Sequence, residues 1–341
     1  MSKGIIRVDL SGRRSAVSGI IATVFGGTGF LGRHVIQDLG RIGSQIIVPF
    51  RGEEMKYMHL KPMADLGQLV PVKMDSIYDV PTLELSMARS NVVVNLIGRR
   101  WGNSNFSVHE ANAETARITS KFAARAGITH FIHVSTIGAS EKSKSDWLKA
   151  KWESEQFVKQ NIPTATIVRT APVFGHEDRL LARLGFWLQR SKWVPNLCPN
   201  HRSQPISGED FADGVVQLVA NPGVAAGKTY TFAGPKVWTN EELLEFAQEI
   251  TIRPFNRKEP DWLSRIKFRI EGPLSKQNVI TPDEEVMMEE VDLVMPEGNP
   301  ALQNSVQSLG INPKCIQDEA IEYLRGYRTA AMQQVERGVK F

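Results

Sequence analysis

The sequence predicts an α/β protein built on a doubly wound parallel sheet, with a smaller C-terminal lobe. Two observations predict it. Short, β-branched apolar runs recur along residues 20–232 and alternate with amphipathic stretches of helical length, the pattern of strands covered on both faces. The first such run, Ile20 to Phe25, passes directly into a glycine turn, Gly26-Gly27-Thr28-Gly29-Phe30-Leu31-Gly32, and then into a helical pattern with Leu31, Val35, Leu39 and Ile42 on one face. Strand, turn and helix in that order form an anion site, because the unpaired N–H groups and the macrodipole of the helix start point at the turn.

The glycines stand three residues apart, and each has a reason. Gly26 permits a tight turn at positive φ. Gly29 lets backbone approach a pyrophosphate, and Gly32 lets the helix lie close to the strand. The expected dinucleotide phosphate set is therefore Gly26, Thr28, Gly29, Phe30, Leu31 and Gly32. The next strand, Gln45 to Phe50, ends at Arg51 about twenty residues on, where a dinucleotide fold meets the adenosine ribose. An acid there would accept from the ribose hydroxyls. Arg51 suits a 2′-phosphate instead, so the expected cofactor is NADP(H) rather than NAD(H).

Leu69 to Met74 reads as the third strand, closing at Asp75, and Val92 to Ile97 as the fourth, ending at Gly98. In a parallel sheet Asp75, Leu96, Ile97 and Gly98 would lie beside the adenine, because ligands sit at strand carboxyl ends. Glu110 to Ala126 is an alanine-rich helix. Phe131 to Val134 is the fifth strand, ending at Ser135-Thr136, and His133 within it reads as a satisfied core histidine. Trp147 to Gln160 is a helix and Ala165 to Arg169 the sixth strand, followed by Pro172 and Phe174, which are expected at the cofactor. Residues 176–204 break the regularity. They are aromatic and poorly periodic, and would cover the nicotinamide end or dock on a partner. Order returns with a helix from Glu209 to Ala220, a strand Thr229 to Phe232, a capping box Thr239/Glu242 and a last helix through Ile316, Ala320, Leu324 and Tyr327.

These readings divide the chain into a basic arm, 1–18, a nucleotide-binding domain, 19–235, with the irregular insertion 176–204, and a lobe, 236–341. The arm carries Lys3, Arg7, Arg13 and Arg14 against Asp9, and reads either as transit sequence or as an arm packed on a neighbour. Around Trp262, Leu263, Ile266, Phe268 and Ile270 the apolar residues alternate with Arg257, Lys258, Arg265, Lys267 and Arg269, which suits either a membrane interface or a solvated cationic face. A net charge of +4 without clustering argues against nucleic acid as a partner. The two cysteines, Cys198 and Cys315, have no metal spacing and exclude a disulfide scaffold. No apolar run reaches the eighteen or so residues of a membrane span.

The order of elements from Gly19 to Phe232 resembles the short-chain dehydrogenase/reductase superfamily in its extended, atypical form, and implies a Rossmann fold. In active relatives a Ser ends the fifth strand, and a Tyr and a Lys four residues apart follow on the next helix. Here Ser135 and Lys151 match, but the tyrosine position is Trp147. An indole N–H has no accessible acid–base equilibrium, so proton transfer loses its agent while Lys151 is still expected to hold the nicotinamide ribose. No catalytic residue and no metal site are expected.

A closer resemblance rests on Arg14 to Ile20, Gly26 to Arg33, Met58 to Gln68, Asn91 to Arg99 and Phe131 to Ser135. These stretches are similar to the nucleotide-binding accessory subunits of mitochondrial NADH:ubiquinone oxidoreductase, respiratory complex I, of the alpha subcomplex subunit nine type. The resemblance implies a tightly held NADPH and a peripheral place on the matrix side of the inner membrane. It also implies partners among the subunits near the junction of the peripheral and membrane arms, a stabilising rather than electron-carrying role, and lipid as a possible contact of the basic lobe. Many members keep Tyr where this chain has Trp147, a departure that bears on turnover, not binding. The alternatives are a free-standing NADP-dependent reductase or epimerase, and a dinucleotide redox sensor.

Overall fold

A computed structural model describes residues 17–102, 105–190, 193–252, 280–296 and 304–328, with residues 257, 258, 260, 262–264 and 266 between them. The expectations for the basic arm, and for most of the basic stretch 253–274, lie outside the described residues. Seven strands form one sheet: β1 (Ile21–Phe25), β2 (Gln45–Phe50), β3 (Leu69–Lys73), β4 (Val92–Asn95), β5 (His130–Thr136), β6 (Thr166–Thr170) and β7 (Thr229–Phe232). Their order is β3-β2-β1-β4-β5-β6-β7, and every neighbouring pair is parallel. The predicted doubly wound sheet is therefore present. Strand order reverses between β1 and β4, where Ala22 stands opposite Val92 and Phe25 opposite Asn95. That reversal opens a crevice beyond the strand ends, the place where such sheets take ligands.

The first compact unit comprises 17–170, Gly208–Ala233 and 295–313. Its helices include α1 (Phe30–Arg41), α2 (Val80–Met87), α3 (Thr115–Arg125) and α4 (Asp146–Asn161). Phe25, Leu83, Met87, Val93, Phe131, Val158 and Ile167 close its core from β1, α2, β4, β5, α4 and β6. The helix expected over 110–126 begins with a π turn, Glu110–Glu114, in which Thr115 N–H reaches back to Glu110 O. His133 is satisfied as expected. Its Nε2 donates to Ser154 Oγ at 2.8 Å, Ser154 donates in turn to Lys151 O, and Nδ1 accepts from Asn95 Nδ2 at 3.4 Å. Burial holds its pKa well below 6.5, so the ring stays neutral.

The second unit comprises 171–207, 234–294 and 314–328. The division is discontinuous, with breaks after Thr170, Ser207, Ala233, Val294 and Pro313. The chain leaves the sheet after β6, and a parallel pairing of Val173–Phe174 with Ile206–Ser207 closes the excursion. It then returns through a helix, α6 (Gly208–Ala220), to β7 at the sheet edge. The stretch expected to be irregular contains α5 (Leu181–Arg190), with Leu181, Gly185 and Leu188 buried at helical spacing. Gly185 hid that period in the sequence. A Cβ there would come within 2.5 Å of the Tyr327 ring, so the glycine is a packing position. With α5 pack α7 (Asn240–Thr251) and α9 (Ile316–Leu324), through Leu243, Leu244, Ala247, Ile316, Ala320 and Leu324. A further helix, α8 (Pro282–Glu290), presents Glu284 to Arg183 at 3.0 Å. The capping box is present: Glu242 N donates to Thr239 Oγ1 at 3.1 Å and Thr239 N to Glu242 Oε2 at 2.9 Å.

One buried acid in the first unit makes a pH prediction. Asp38 on α1 has its pKa raised from 3.8 to about 7, first by burial, then by Asp213 and Glu209 of α6, against the opposing pull of Arg41. Between pH 4 and 7 the unfolded chain releases this proton and the folded chain keeps it, so folding loses stability as pH rises. Asp38→Asn is expected to stabilise the protein by roughly 1–3 kcal/mol at pH 7.5 and by nothing near pH 4. Chemical denaturation at both values checks it, and equal effects at the two would refute the raised acid.

Candidate functional site

The glycine turn sits at the carboxyl end of β1. Gly26 has φ +78°, and a Cβ on it would press on the Leu96 carbonyl carbon at 3.0 Å. Gly29 N donates to Gly26 O at 3.0 Å and Gly29 O accepts from Arg33 N at 3.1 Å, which sets the first turn of α1. Gly29 caps that helix without a side-chain bond, and no acid lies in its first turn. The N–H groups of Phe30, Leu31 and Gly32 are therefore offered to an external anion beside half-buried Thr28. Gly32 carries the tightest fit: a Cβ would fall 2.5 Å from Gly27 Cα and nearer still to Gly26 O. Gly27 was not singled out from sequence. Its Cβ would meet Ile36 Cδ1 at 2.8 Å and Val48 Cγ1 at 2.9 Å, so it packs α1 onto β2.

At the end of β2, Arg51 is exposed and its guanidinium carbon lies 5.7 Å from the Phe106 ring centroid. Arg99 lies 5.0 Å from the same centroid. Burial and the charge of Arg51 hold Arg99 below the usual arginine range. Neither guanidinium has an ion-pair partner among the described residues. Two cations that repel each other across one aromatic ring favour an anion between them. Arg99 and Phe106 were missed in the sequence, where the only signal was an arginine after Gly98. Asp75 is exposed just past β3, where Met74 N donates to Phe50 O at 2.9 Å.

Beyond β4, Leu96 N donates to Phe25 O at 3.0 Å and Ile97 N to Asn95 Oδ1 at 3.1 Å. A Cβ on Gly98 would lie 2.8 Å from Lys151 Nζ and 3.0 Å from Asn112 Oδ1. Asn112, in the π turn, fixes this corner by donating to Arg99 O and Val108 O and accepting from Arg99 N. Lys151 Nζ donates to Val134 O at 3.1 Å. Its pKa is lowered to about 8 by burial and Arg100, against the pull of Glu155. Ser135 Oγ is buried and has no hydrogen-bond partner among the described residues. Trp147 is buried one helical turn before Lys151, with Arg100 over its ring at 4.9 Å from the centroid. Ser145, a conceivable substitute proton donor, caps α4 by accepting from Leu148 N.

The structure thus gathers Gly26 to Gly32, Arg51, Asp75, Leu96 to Gly98, Ser135 and Lys151 along the carboxyl ends of the strands and the helix that follows β5. Pro172 and Phe174 belong to the second unit, and the Phe174 side chain lies in that unit's core. Leu181 and Leu188, from the segment expected to cover the nicotinamide end or to dock on a partner, lie in that same core. A cavity of about 540 Å³, lined by Ser18, Ile20, Asn91 and His130 among others, opens at the amino ends of the strands. It is not the nucleotide site, because ligands in this topology sit at the carboxyl ends.

No family model matches the sequence. Individual proteins do. NADH dehydrogenase [ubiquinone] 1 alpha subcomplex subunit 9, mitochondrial, of Mus musculus is 36% identical over 93% of this chain and 83% of its own length. The chain belongs to this alpha subcomplex subunit 9 family. The Arabidopsis thaliana member is 43% identical over 70% of this chain and 60% of its own length. The 40 kDa NADH-ubiquinone oxidoreductase subunit of Neurospora crassa is 34% identical over 96% of this chain and 84% of its own length. Among solved structures, Citrobacter triphenylmethane reductase complexed with NADP(H) superposes with a TM-score of 0.69 at 15% identity, over 89% of this chain and 99% of that one. A dTDP-glucose 4,6-dehydratase from Streptomyces venezuelae with NAD gives 0.66 at 17% identity, over 92% of this chain and 98% of that one. The chain thus shares the fold of this reductase and this dehydratase. No helix among the described residues is long and apolar enough to cross a membrane.

Proposed function

We propose that the chain is a non-catalytic accessory subunit of mitochondrial complex I that holds NADPH as a structural ligand and supports assembly or stability of the complex. The observation that carries this is the pairing of an intact glycine turn with an indole where the proton-transferring phenol would stand. The open amides of Phe30, Leu31 and Gly32 would hold the pyrophosphate, Arg51 and Arg99 the 2′-phosphate, and Lys151 with Ser135 the nicotinamide ribose. When bound, the nicotinamide would supply a hydride. The indole at position 147 cannot supply the proton that a reductase would need with it, and the Ser145 hydroxyl sits at the helix cap, accepting from Leu148 N.

Membership of the alpha subcomplex subunit 9 family supports partners within complex I, and the mitochondrial names of its members support that compartment. The proposed position is peripheral, on the matrix side of the inner membrane, near the junction of the two arms. Purification from mitochondria tests the assignment: the protein should travel with complex I, and a free monomer would sink it.

Cofactor choice has its own test. Arg51→Ala is expected to weaken NADPH about 10- to 100-fold and NADH by less than about threefold, because only NADPH carries the 2′-phosphate. Calorimetric titration of both nucleotides reads this, and equal losses would refute the phosphate assignment.

A further inference from the structure

The three positions that would perform chemistry in a reductase of this fold are all closed off. Ser135 is 2% exposed and both Trp147 and Lys151 are 7% exposed. The closure has a visible cause within the first unit. Trp147 and Lys151 lie four residues apart on α4, so both face the strand ends. Lys151 Nζ is tied to Val134 O, next to Ser135. Arg100 lies over the Trp147 ring and close enough to Lys151 for its charge to oppose that of the ammonium. A guanidinium parked beside a buried ammonium is electrostatically unfavourable, and the indole face contributes to offsetting it. The seryl hydroxyl is thus buried without a partner among the described residues, at the strand end reached by Lys151, which stands one helical turn from an indole under an arginine.

We propose that Trp147 and Arg100 form a plug over the nicotinamide end of the site. The indole fills the space from which a carbonyl substrate would reach Ser135, and the Arg100 clamp keeps it there. The substitution at position 147 therefore does more than remove an acid. It denies the bound nucleotide both a reaction partner and an exit on that side. Ser135 Oγ is left for the nicotinamide carboxamide or ribose alone. This rests on the NADPH reading above, and deepens it by assigning the retention of the nucleotide to two residues.

The test is the rate at which bound NADPH leaves, followed by its fluorescence after dilution into excess unlabelled NADP⁺, together with quenching of the bound reduced nicotinamide by acrylamide. Trp147→Ala is expected to speed release more than about tenfold and to make the nicotinamide quenchable. Arg100→Gln should speed release about threefold to tenfold, the size of one lost cation–π contact. Trp147→Phe keeps an apolar ring and guards against misfolding; it should fall between wild type and Trp147→Ala. If wild type holds NADPH and all three variants release it at the wild-type rate with the nicotinamide still shielded, the plug is wrong and the nucleotide reading stands. If wild type binds no NADPH, the nucleotide reading and the plug fall together.

Discussion

Gly32→Ala is expected to abolish tight nucleotide binding, by more than about 100-fold, and to destabilise the fold by about 2–4 kcal/mol. The added Cβ would land 2.5 Å from Gly27 Cα, with Gly26 O closer. Those neighbours are backbone of a turn whose own geometry is fixed by the positive φ of Gly26 and the Gly29–Gly26 hydrogen bond. Neither can step aside without moving α1 off the turn, which would turn its open amides away from the pyrophosphate. Gly29→Ala is the informative control. Its Cβ would meet only Gly26 O, at 3.2 Å, on the exposed side of the turn. It should cost less than about 1 kcal/mol of intrinsic stability while still weakening the nucleotide, since the methyl group stands where the phosphates approach. Denaturation in the absence and presence of saturating NADPH separates the two effects, because bound ligand stabilises only the folded state, by about 2.7 kcal/mol at a hundred times its Kd. A Gly32→Ala protein with wild-type melting and wild-type affinity would overturn the turn geometry.

Arg169→Ala is expected to cost about 3 kcal/mol or more without touching the glycine turn. Arg169 on β6 grips Glu155 of α4 with two parallel bonds, Nε to Oε1 at 2.9 Å and Nη2 to Oε2 at 2.8 Å. The Glu155 carboxylate is fully buried, whereas Arg169 keeps about a third of its side chain in water. Removing the arginine leaves the buried Glu155 carboxylate without its bidentate partner, with only the more distant charge of Lys151 to offset it; removing both charges leaves no buried anion. The double change Glu155→Leu with Arg169→Met should therefore recover most of the loss, as buried ion pairs often tolerate apolar replacement. Denaturation of the two single variants and the double closes the cycle. A double variant as unstable as the sum of the singles would show that the pair is not acting as a unit.

Much of the first unit was legible because its signals are local. Gln45 to Phe50 and Thr229 to Phe232 were read to the residue from β-branched runs, and the Thr239/Glu242 box from a spacing of three. Gly26 and Gly32 declared themselves because nothing but glycine meets the turn and the close approach. Arg99 was overlooked because its role comes from Phe106 and Arg51 converging on it, and residues 51, 99 and 106 are brought together only by the parallel sheet. The helix α5 was overlooked because Gly185 interrupts its apolar face, and only the Tyr327 ring shows why a glycine is there. The packing of Phe174 was not legible for the converse reason. Its position after the sixth strand fits a cofactor contact, but its ring is claimed by Leu181, Leu188 and their neighbours.

By itself the sequence determined the parallel sheet and the glycine turn at the start of α1, since periodicity and backbone permission are properties of consecutive residues; the indole at the tyrosine position was read from the family resemblance. The tertiary structure alone decided how the chain divides into two units. It also decided which arginine joins Arg51, and that the indole at position 147 lies buried beneath Arg100. Those outcomes depend on which distant residues share a volume, and burial, charge proximity and steric room arise only when the chain has closed around them.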